Sequence, residues 1–253
     1  MKSSNQKEQR IQQIIRYVTT HKEATVEELS TLCNVSAMTI HRDLSEIDGN
    51  ENIVKIRGGA RLVQGTMEHF FTDRTSENAA QKDLIGEKAA ALLTPGAAVY
   101  LDAGTTTLAV ARHMPDIDIN LFTTAPTIAM ELLRTQKPSI NLCAGNLDRN
   151  NLMLTGYFTL AMIDQINIDV AVLATSGFSP QCGFTCAVET QMAVKQAAIR
   201  RAKKVYMVMD SSKIGKDYPF TFTTPEEVDC LIMESEPPKE LAEIAEKYGI
   251  TII

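Results

Sequence analysis

The stretch Ser36-Ala37-Met38-Thr39-Ile40-His41-Arg42-Asp43-Leu44 decides how this chain is read. A helix running from about Ser36 to Ile47 places Ile40, Leu44 and Ile47 on one face, at i, i+4 and i+7. Ser36 stands where an N-cap hydroxyl is wanted, accepting from the open amides of the first turn. Met38, His41, Arg42 and Ser45 then point away from the apolar stripe, with Thr39 on its flank. Arginine forks onto the O6 and N7 of guanine, while Thr and Ser hydroxyls suit phosphate oxygens or the thymine edge. The outer face therefore suits double-stranded DNA. An ordinary solvated helix has the same period, so the neighbouring segments have to decide.

They favour DNA. Gln6 to about Thr20 carries Ile11, Ile14, Ile15 and Val18 at helical spacing. Thr25 with Glu28 forms a capping box for a short second helix with Val26, Leu29 and Leu32 as its stripe. Cys33-Asn34-Val35 is a tight turn, with Val35 at the elbow. Two helices, a three- to four-residue turn and a third amphipathic helix make a helix-turn-helix. Beyond it, Ile53 to Arg57 alternates apolar and basic and runs into Gly58-Gly59-Ala60-Arg61. That predicts a β-wing with Lys55, Arg57 and Arg61 facing phosphates.

Val35-Ser36-x-x-Thr39-Ile40-x-Arg42-Asp43-Leu44, followed by a basic strand and Gly58-Gly59-Ala60, resembles the DeoR family of bacterial transcriptional regulators. Two positions depart from the family pattern. His41 stands where a second basic residue, usually Arg, is common, and Glu51 occupies a usual glycine position, with a glycine at Gly49 instead.

Length and charge agree with a two-part protein. The 253 residues exceed one ordinary domain, and 44% apolar content supports a substantial core. No apolar run approaches the roughly 18 residues of a membrane span, and the polar N-terminus lacks a signal-peptide core. Five scattered cysteines suggest no disulfide framework, so a cytoplasmic location is expected. Cys182 and Cys186 have metal-like spacing without a second pair, and no metal or cofactor is expected. The net charge of −6 is uneven. Residues 1–61 hold nine Lys/Arg against eight Asp/Glu, a net of +1, leaving −7 for the rest. DNA affinity then rests on a local, salt-sensitive patch doubled by a homodimer or homotetramer, not on bulk charge.

From Ala97 the pattern changes to short apolar strands alternating with helices. Strands are expected at 97–101, 119–122, 140–143, 170–174, 205–209, 230–233 and 250–253. Helices are expected at about 82–93, 106–113, 126–134, 159–165, 190–202 and 238–248. This rhythm predicts a larger α/β domain with a mostly parallel sheet. The expected division is a winged helix-turn-helix over 1–62, a linker over 63–80 in which Phe70, Phe71 and Arg74 pack against something, and an α/β domain over 81–253.

Ligands of such sheets bind at the carboxyl ends of the strands. Asp102-Ala103-Gly104-Thr105-Thr106-Thr107 runs from the first strand into a helix. Its amides and hydroxyls make an anion cradle, or simply a βα turn with Thr caps. Thr124, Gly145, Ser176-Gly177 and Asp210-Ser211-Ser212-Lys213 follow other strands, and Glu189, with Lys195 as a weaker candidate, lies near a helix start. Together they suit a phosphorylated polyol, with Lys213 near the phosphate and the acids near hydroxyls. These motifs resemble the DeoR-type sensor domain, whose fold is similar to ribose-5-phosphate isomerase and glucosamine-6-phosphate deaminase. Ala144-Gly145-Asn146 departs from the Gly-Gly-Thr usual there.

The resemblance implies a regulator, in this family most often a repressor of a carbohydrate-utilisation operon, whose operator binding responds to a phosphorylated sugar. The competing expectation is a sugar-phosphate isomerase or deaminase with an appended DNA-binding module, since Asp102, Glu189, Asp210 and Lys213 also suit acid–base work. The winged helix, which an isomerase does not need, weighs against that.

Overall fold

The computed structural model describes residues 2–47, 53–62 and 71–253. The chain divides into two compact units, residues 1–67 and 68–253. Gly49, Glu51 and Phe70, each named above, lie outside the described residues.

The first unit runs α1 (Lys2–His21), β1 (Glu23–Thr25), α2 (Val26–Cys33), α3 (Ala37–Ile47), β2 (Ile53–Ile56) and β3 (Gly59–Leu62). The capping box is formed: Glu28 N donates to Thr25 Oγ1 at 3.2 Å, and Thr25 N donates to the Glu28 carboxylate at 2.7 Å. These bonds satisfy two open amides and hold Glu28 below its ordinary carboxylate pKa. At the other end Asn34 is left-handed, with φ 51°, and its amide donates to the Ser30 and Thr31 carbonyls. The chain turns there into α3, where Thr39 N donates to Ser36 Oγ at 3.3 Å.

Ile40, Leu44 and Ile47 are buried, packing with Ile14, Val18, Val26 and Leu29 into one core, with Val35 partly buried beside it. Each such side chain contributes roughly 1.5–3 kcal/mol by leaving water. A short strand that periodicity missed, β1, pairs antiparallel with β3 and ties the wing to the chain before α2. Asp43 has a structural role. It is fully buried and accepts a fork from Arg10, at 2.6 Å from Nε and 3.2 Å from Nη2. The fork joins α1 to α3 and raises the Arg10 pKa.

The second unit opens with α4 (Phe71–Ser76), α5 (Ala79–Ala90), β4 (Ala98–Leu101), α6 (Thr105–His113), β5 (Asn120–Thr123), α7 (Pro126–Glu131) and β6 (Ser139–Leu142). A hairpin follows, β7 (Asn146–Asp148) with β8 (Met153–Thr155), then α8 (Tyr157–Ile163) and β9 (Ile168–Ala174). After β10 (Gly177–Ser179), β11 (Gly183–Cys186) and α9 (Glu189–Arg201) come β12 (Ala202–Val208), β13 (Phe220–Thr223), β14 (Cys230–Ile232), α10 (Lys239–Tyr248) and β15 (Thr251–Ile252).

Seven strands form one sheet in the order β15-β14-β12-β9-β4-β5-β6, every neighbour parallel. Runs such as Ala98-Val99-Tyr100-Leu101 are apolar throughout because both sheet faces are covered. Helices α5, α6 and α7 contribute to the core on one face, and α8, α9 and α10 to the core on the other. The seven strands are those expected from sequence, each displaced by a few residues at most. The hairpin β7–β8 and the antiparallel sheet β10-β11-β13 were not expected.

Strand order reverses at the centre. From β4 the chain builds outward through β5 and β6, then returns and builds the other way through β9, β12, β14 and β15. The crevice beyond the carboxyl ends of β4 and β9 is thus a topological switch point, where open α/β sheets hold ligands. The stretch expected to be linker contributes to this unit. Phe71 is buried, its amide donates to Asn150 O at 3.0 Å, and Arg74 donates to Asn151 Oδ1 at 3.1 Å.

Candidate functional site

Two surfaces carry the candidate residues. On the first unit, Met38 (81% exposed), His41, Arg42 and Ser45 lie on the solvent side of α3, and Ser36 lies at its start. Thr39 is half-buried, its hydroxyl 3.0 Å from Ser36 Oγ. Ser36 is thus held by capping as well as by this contact. Ser45 Oγ donates to the His41 carbonyl at 2.8 Å and accepts from Lys55 Nζ at 2.9 Å. Lys55 therefore reaches from the wing to the last turns of α3, where the helix dipole favours a cation. Arg61 is exposed and paired with Glu23 across the β1–β3 ladder at 2.8 Å, an arrangement that competes with a phosphate contact. Arg42 and Arg57 are exposed guanidiniums, presented by α3 and by the loop of the wing. The result is a rigid helix with a short cationic and polar outer face.

On the second unit, a cleft opens at the switch point. One wall is Ala103, Gly104, Thr105 and Thr106, the turn from β4 into α6. Facing it are Ala174, Thr175 and Ser176 at the end of β9, with Gln191 and Lys195 from α9. Arg74 and Lys213 complete the lining. Three cations thus converge beside the open amides of a nine-residue helix, an arrangement that favours an anion.

Lys195 is the buried member. Its ammonium bonds the Asp102 carboxylate and donates to Ala174 O at 2.8 Å, with the Phe222 ring 5.1 Å away. Asp102 Oδ2 also accepts from Ala174 N at 3.3 Å, while Oδ1 is buried with no partner among the described residues. Asp210 has the same asymmetry. Oδ1 accepts from Ser212 N and Asn78 Nδ2, both at 3.1 Å, and Oδ2 is buried with no partner among the described residues. A buried carboxylate oxygen left without a donor is costly, and neither Asp102 nor Asp210 is on the cleft wall. Lys82, nearly buried, donates to Arg74 O. Burial pushes its pKa down to about 8, with Lys213 and Arg74 pushing the same way against Asp210 and Glu77.

Several expected ligand groups take structural places. Thr107 is fully buried and its hydroxyl donates to the Asp102 and Gly104 carbonyls, at 2.6 and 3.0 Å. Thr124 is fully buried, its hydroxyl 3.3 Å from the Tyr100 hydroxyl. Gly104 is extended, with φ −169°, so no tight turn requires it there. It leaves space instead, since a Cβ would lie 3.1 Å from Ala174 Cβ. Gly145 has φ +150°, and a Cβ there would run into Thr159 Oγ1 and Thr155 O. That glycine is required by the hairpin and is not on the cleft wall. The Gly177 carbonyl accepts from the Thr175 and Thr185 hydroxyls, and Glu189 is exposed and off the wall. Arg74, Lys82 and Gln191 were absent from the expected set, while Thr175 belongs to the expected polar end of the fourth strand. Burial of Lys82 and Gln191 on otherwise polar helices would not be guessed from spacing.

A larger recess of about 540 Å³ lies near the amino ends of β12 and β14. Its lining includes Glu226, Glu227 and Asp229 against Lys204, the wrong balance for an anion. Among the described residues no group of three His, Cys, Asp or Glu is placed to hold a metal, and no helix is long and apolar enough to cross a membrane.

Comparison with known proteins adds the family. The DeoR-like helix-turn-helix domain model matches residues 10–66, and the DeoR C-terminal sensor domain model matches residues 77–235. The chain is 29% identical to the HTH-type transcriptional repressor GlcR of Bacillus subtilis over 97% of its own length and 95% of that protein's. It is 30% identical to the HTH-type transcriptional regulator GlpR of Haloferax volcanii, over 97% of its own length and 96% of that protein's. Among solved structures, ribose 5-phosphate isomerase A of Methanocaldococcus jannaschii matches 55% of each chain at 12% identity with a TM-score of 0.40. A helix-turn-helix and a sensor domain matched in tandem, with relatives aligned end to end, establish that the chain belongs to the DeoR family of transcriptional regulators.

Proposed function

We propose that this regulator is a repressor of a carbohydrate-utilisation operon and that a phosphorylated sugar or polyol controls its grip on operator DNA. The observation that carries the effector class is the convergence of Arg74, Lys195 and Lys213 on the start of α6 at the sheet's switch point. Lys213, Arg74 and the amides of Thr105 and Thr106 take the phosphate, Ser176 and Gln191 take hydroxyls, and Asp102 anchors Lys195. The name of GlcR, a repressor, supports the direction of control. Arg42, His41 and Met38 read base edges, while Lys55, Arg57 and Ser36 meet phosphates.

Control follows by linkage. An effector that prefers the form with weaker DNA affinity shifts the population by its differential affinity, typically about 1–3 kcal/mol. The test is a thermal-shift screen of the full chain against sugar phosphates and their unphosphorylated parents. A ligand at a hundredfold excess over Kd adds about 2.7 kcal/mol of stability. A shift with a phosphorylated compound, absent for its parent and reduced in Lys213→Ala, is expected. Equal shifts with phosphorylated and parent sugars would remove the phosphate from the proposal.

A further inference from the structure

We propose that the β6 edge of the α/β unit is the surface on which a second copy of this chain docks, by antiparallel β6–β6 pairing across a two-fold axis near Asn141. Eight large apolar side chains stand exposed among the described residues, and six of them fall between residues 130 and 158. Met130 (71%) and Leu133 (74%) lie on α7 and the turn that leads into β6, and Leu142 (41%) ends the strand itself. Leu147 (52%) is on the hairpin, and Tyr157 (78%) and Phe158 (68%) open α8, their rings edge-on at 5.6 Å. Helix α7 packs against β6 from the side of one core, and α8, which belongs to the other core, is tied to the chain just after the strand, Thr159 Oγ1 donating to Ala144 O at 2.6 Å.

The strand is open. β6 pairs with β5 on one side, and no described strand pairs with the other. The Ser139 and Cys143 amides donate to the Ile119 and Thr123 carbonyls at the two ends of β5, so the alternate residues Ile140 and Leu142 present their backbone groups outward. Edge strands are normally blunted by charge, proline or a bulge; Lys137-Pro138 stands just before this one, and Ser139-Ile140-Asn141-Leu142 itself carries none of these.

A second copy is the occupant these features fit. Antiparallel pairing centred on Asn141 sets Ile140 opposite Leu142 of the other copy and Leu142 opposite Ile140, an isologous contact that closes on itself. The six exposed side chains offer on the order of 700 Å², close to the roughly 800 Å² each partner gives a standard interface. The flanking charges select no partner of one sign. Glu131 already pairs with Arg134 at 3.5 Å and Arg112 at 3.8 Å, and the hairpin carries both Asp148 and Arg149. A helix-turn-helix reading two half-sites also calls for two copies.

Sedimentation velocity on the full chain at micromolar concentration tests this, with three variants. Tyr157→Glu with Phe158→Glu, and Met130→Glu with Leu133→Glu, alter exposed positions only. Leu142→Pro removes an outward amide from an edge strand that tolerates proline. The wild type should be a dimer, or a larger even assembly. Each variant should keep its circular dichroism spectrum and thermal midpoint while dissociating at least about a hundredfold more readily at this contact. A monomeric wild type would assign the patch to some other molecule and overturn the proposal. So would variants that associate as tightly as the wild type. Dimers that survive Leu142→Pro but not the glutamate pairs would overturn the strand pairing.

Discussion

The two units keep their functional groups in opposite places. In the winged helix, the residues that hold the fold point inward from α3 and the candidate DNA-contacting residues point outward, so one helical period sorts them. In the α/β unit several candidate ligand groups, Asp102, Lys195 and Gln191 among them, are themselves buried, and Asp102 and Lys195 hold one another. Lys195 is 5% exposed, Asp102 is fully buried, and each is the other's partner. A surface site can therefore lose residues at little cost in stability, whereas a site made of buried polar groups cannot. The molecule can be tested on that difference.

The largest effect is expected at Asp102. Replacing it with Ala leaves a buried ammonium without its carboxylate, which costs about 3–5 kcal/mol. Residue-resolved hydrogen exchange should place that loss in residues 71–253 and leave α1–α3 protected. Asp43→Ala should show the converse, loosening α1 and α3 by about 2–3 kcal/mol, since the Arg10 partner keeps some access to water. Loss of protection spread evenly over both units in either variant would contradict the contrast.

Arg42→Ala comes next and should leave stability unchanged. Its expected cost is about 1–3 kcal/mol of discrimination for the specific sequence, with little change on random duplex. Equal losses on both would make Arg42 a phosphate contact. Arg61→Ala should do less to DNA affinity than Arg57→Ala, because Arg61 is held by Glu23.

The smallest and most diagnostic effect concerns pH. Lys82 titrates near 8 in the folded chain, below the ordinary lysine value of 10.5. Between those values the unfolded chain binds more protons, so Lys82 makes stability rise with pH from about 8 to about 10.5. An anion bound among Arg74, Lys195 and Lys213 should raise that pKa, so binding near pH 8.5 takes up protons. Calorimetry with a sugar phosphate in two buffers of different ionisation enthalpy should show this uptake, and Lys82→Met should abolish it. Uptake that persists in Lys82→Met would assign the proton to another group.

How much the sequence disclosed follows the same division. Ile40, Leu44 and Ile47, the Thr25–Glu28 box and the seven parallel strands are local patterns, and the chain forms each. The polar residues at the strand ends were visible too, but their directions were not. Thr105 and Thr107 are two residues apart on one helix, yet one lines the cleft and the other bonds back to its own turn. Arg74 and Gln191 reach the cleft through long-range packing that leaves no period in the sequence. The same holds for Asp43, whose partner is 33 residues away.

The most direct test joins the two units in one titration. An operator duplex selected from random sequence is titrated with the full chain, with and without phosphorylated sugars, for the wild type and Lys213→Ala. A phosphorylated sugar should change wild-type operator affinity by roughly 5–150-fold, its unphosphorylated parent should not, and Lys213→Ala should bind DNA normally while losing the response. Operator affinity indifferent to every phosphorylated sugar, or a full response in Lys213→Ala, would contradict the account.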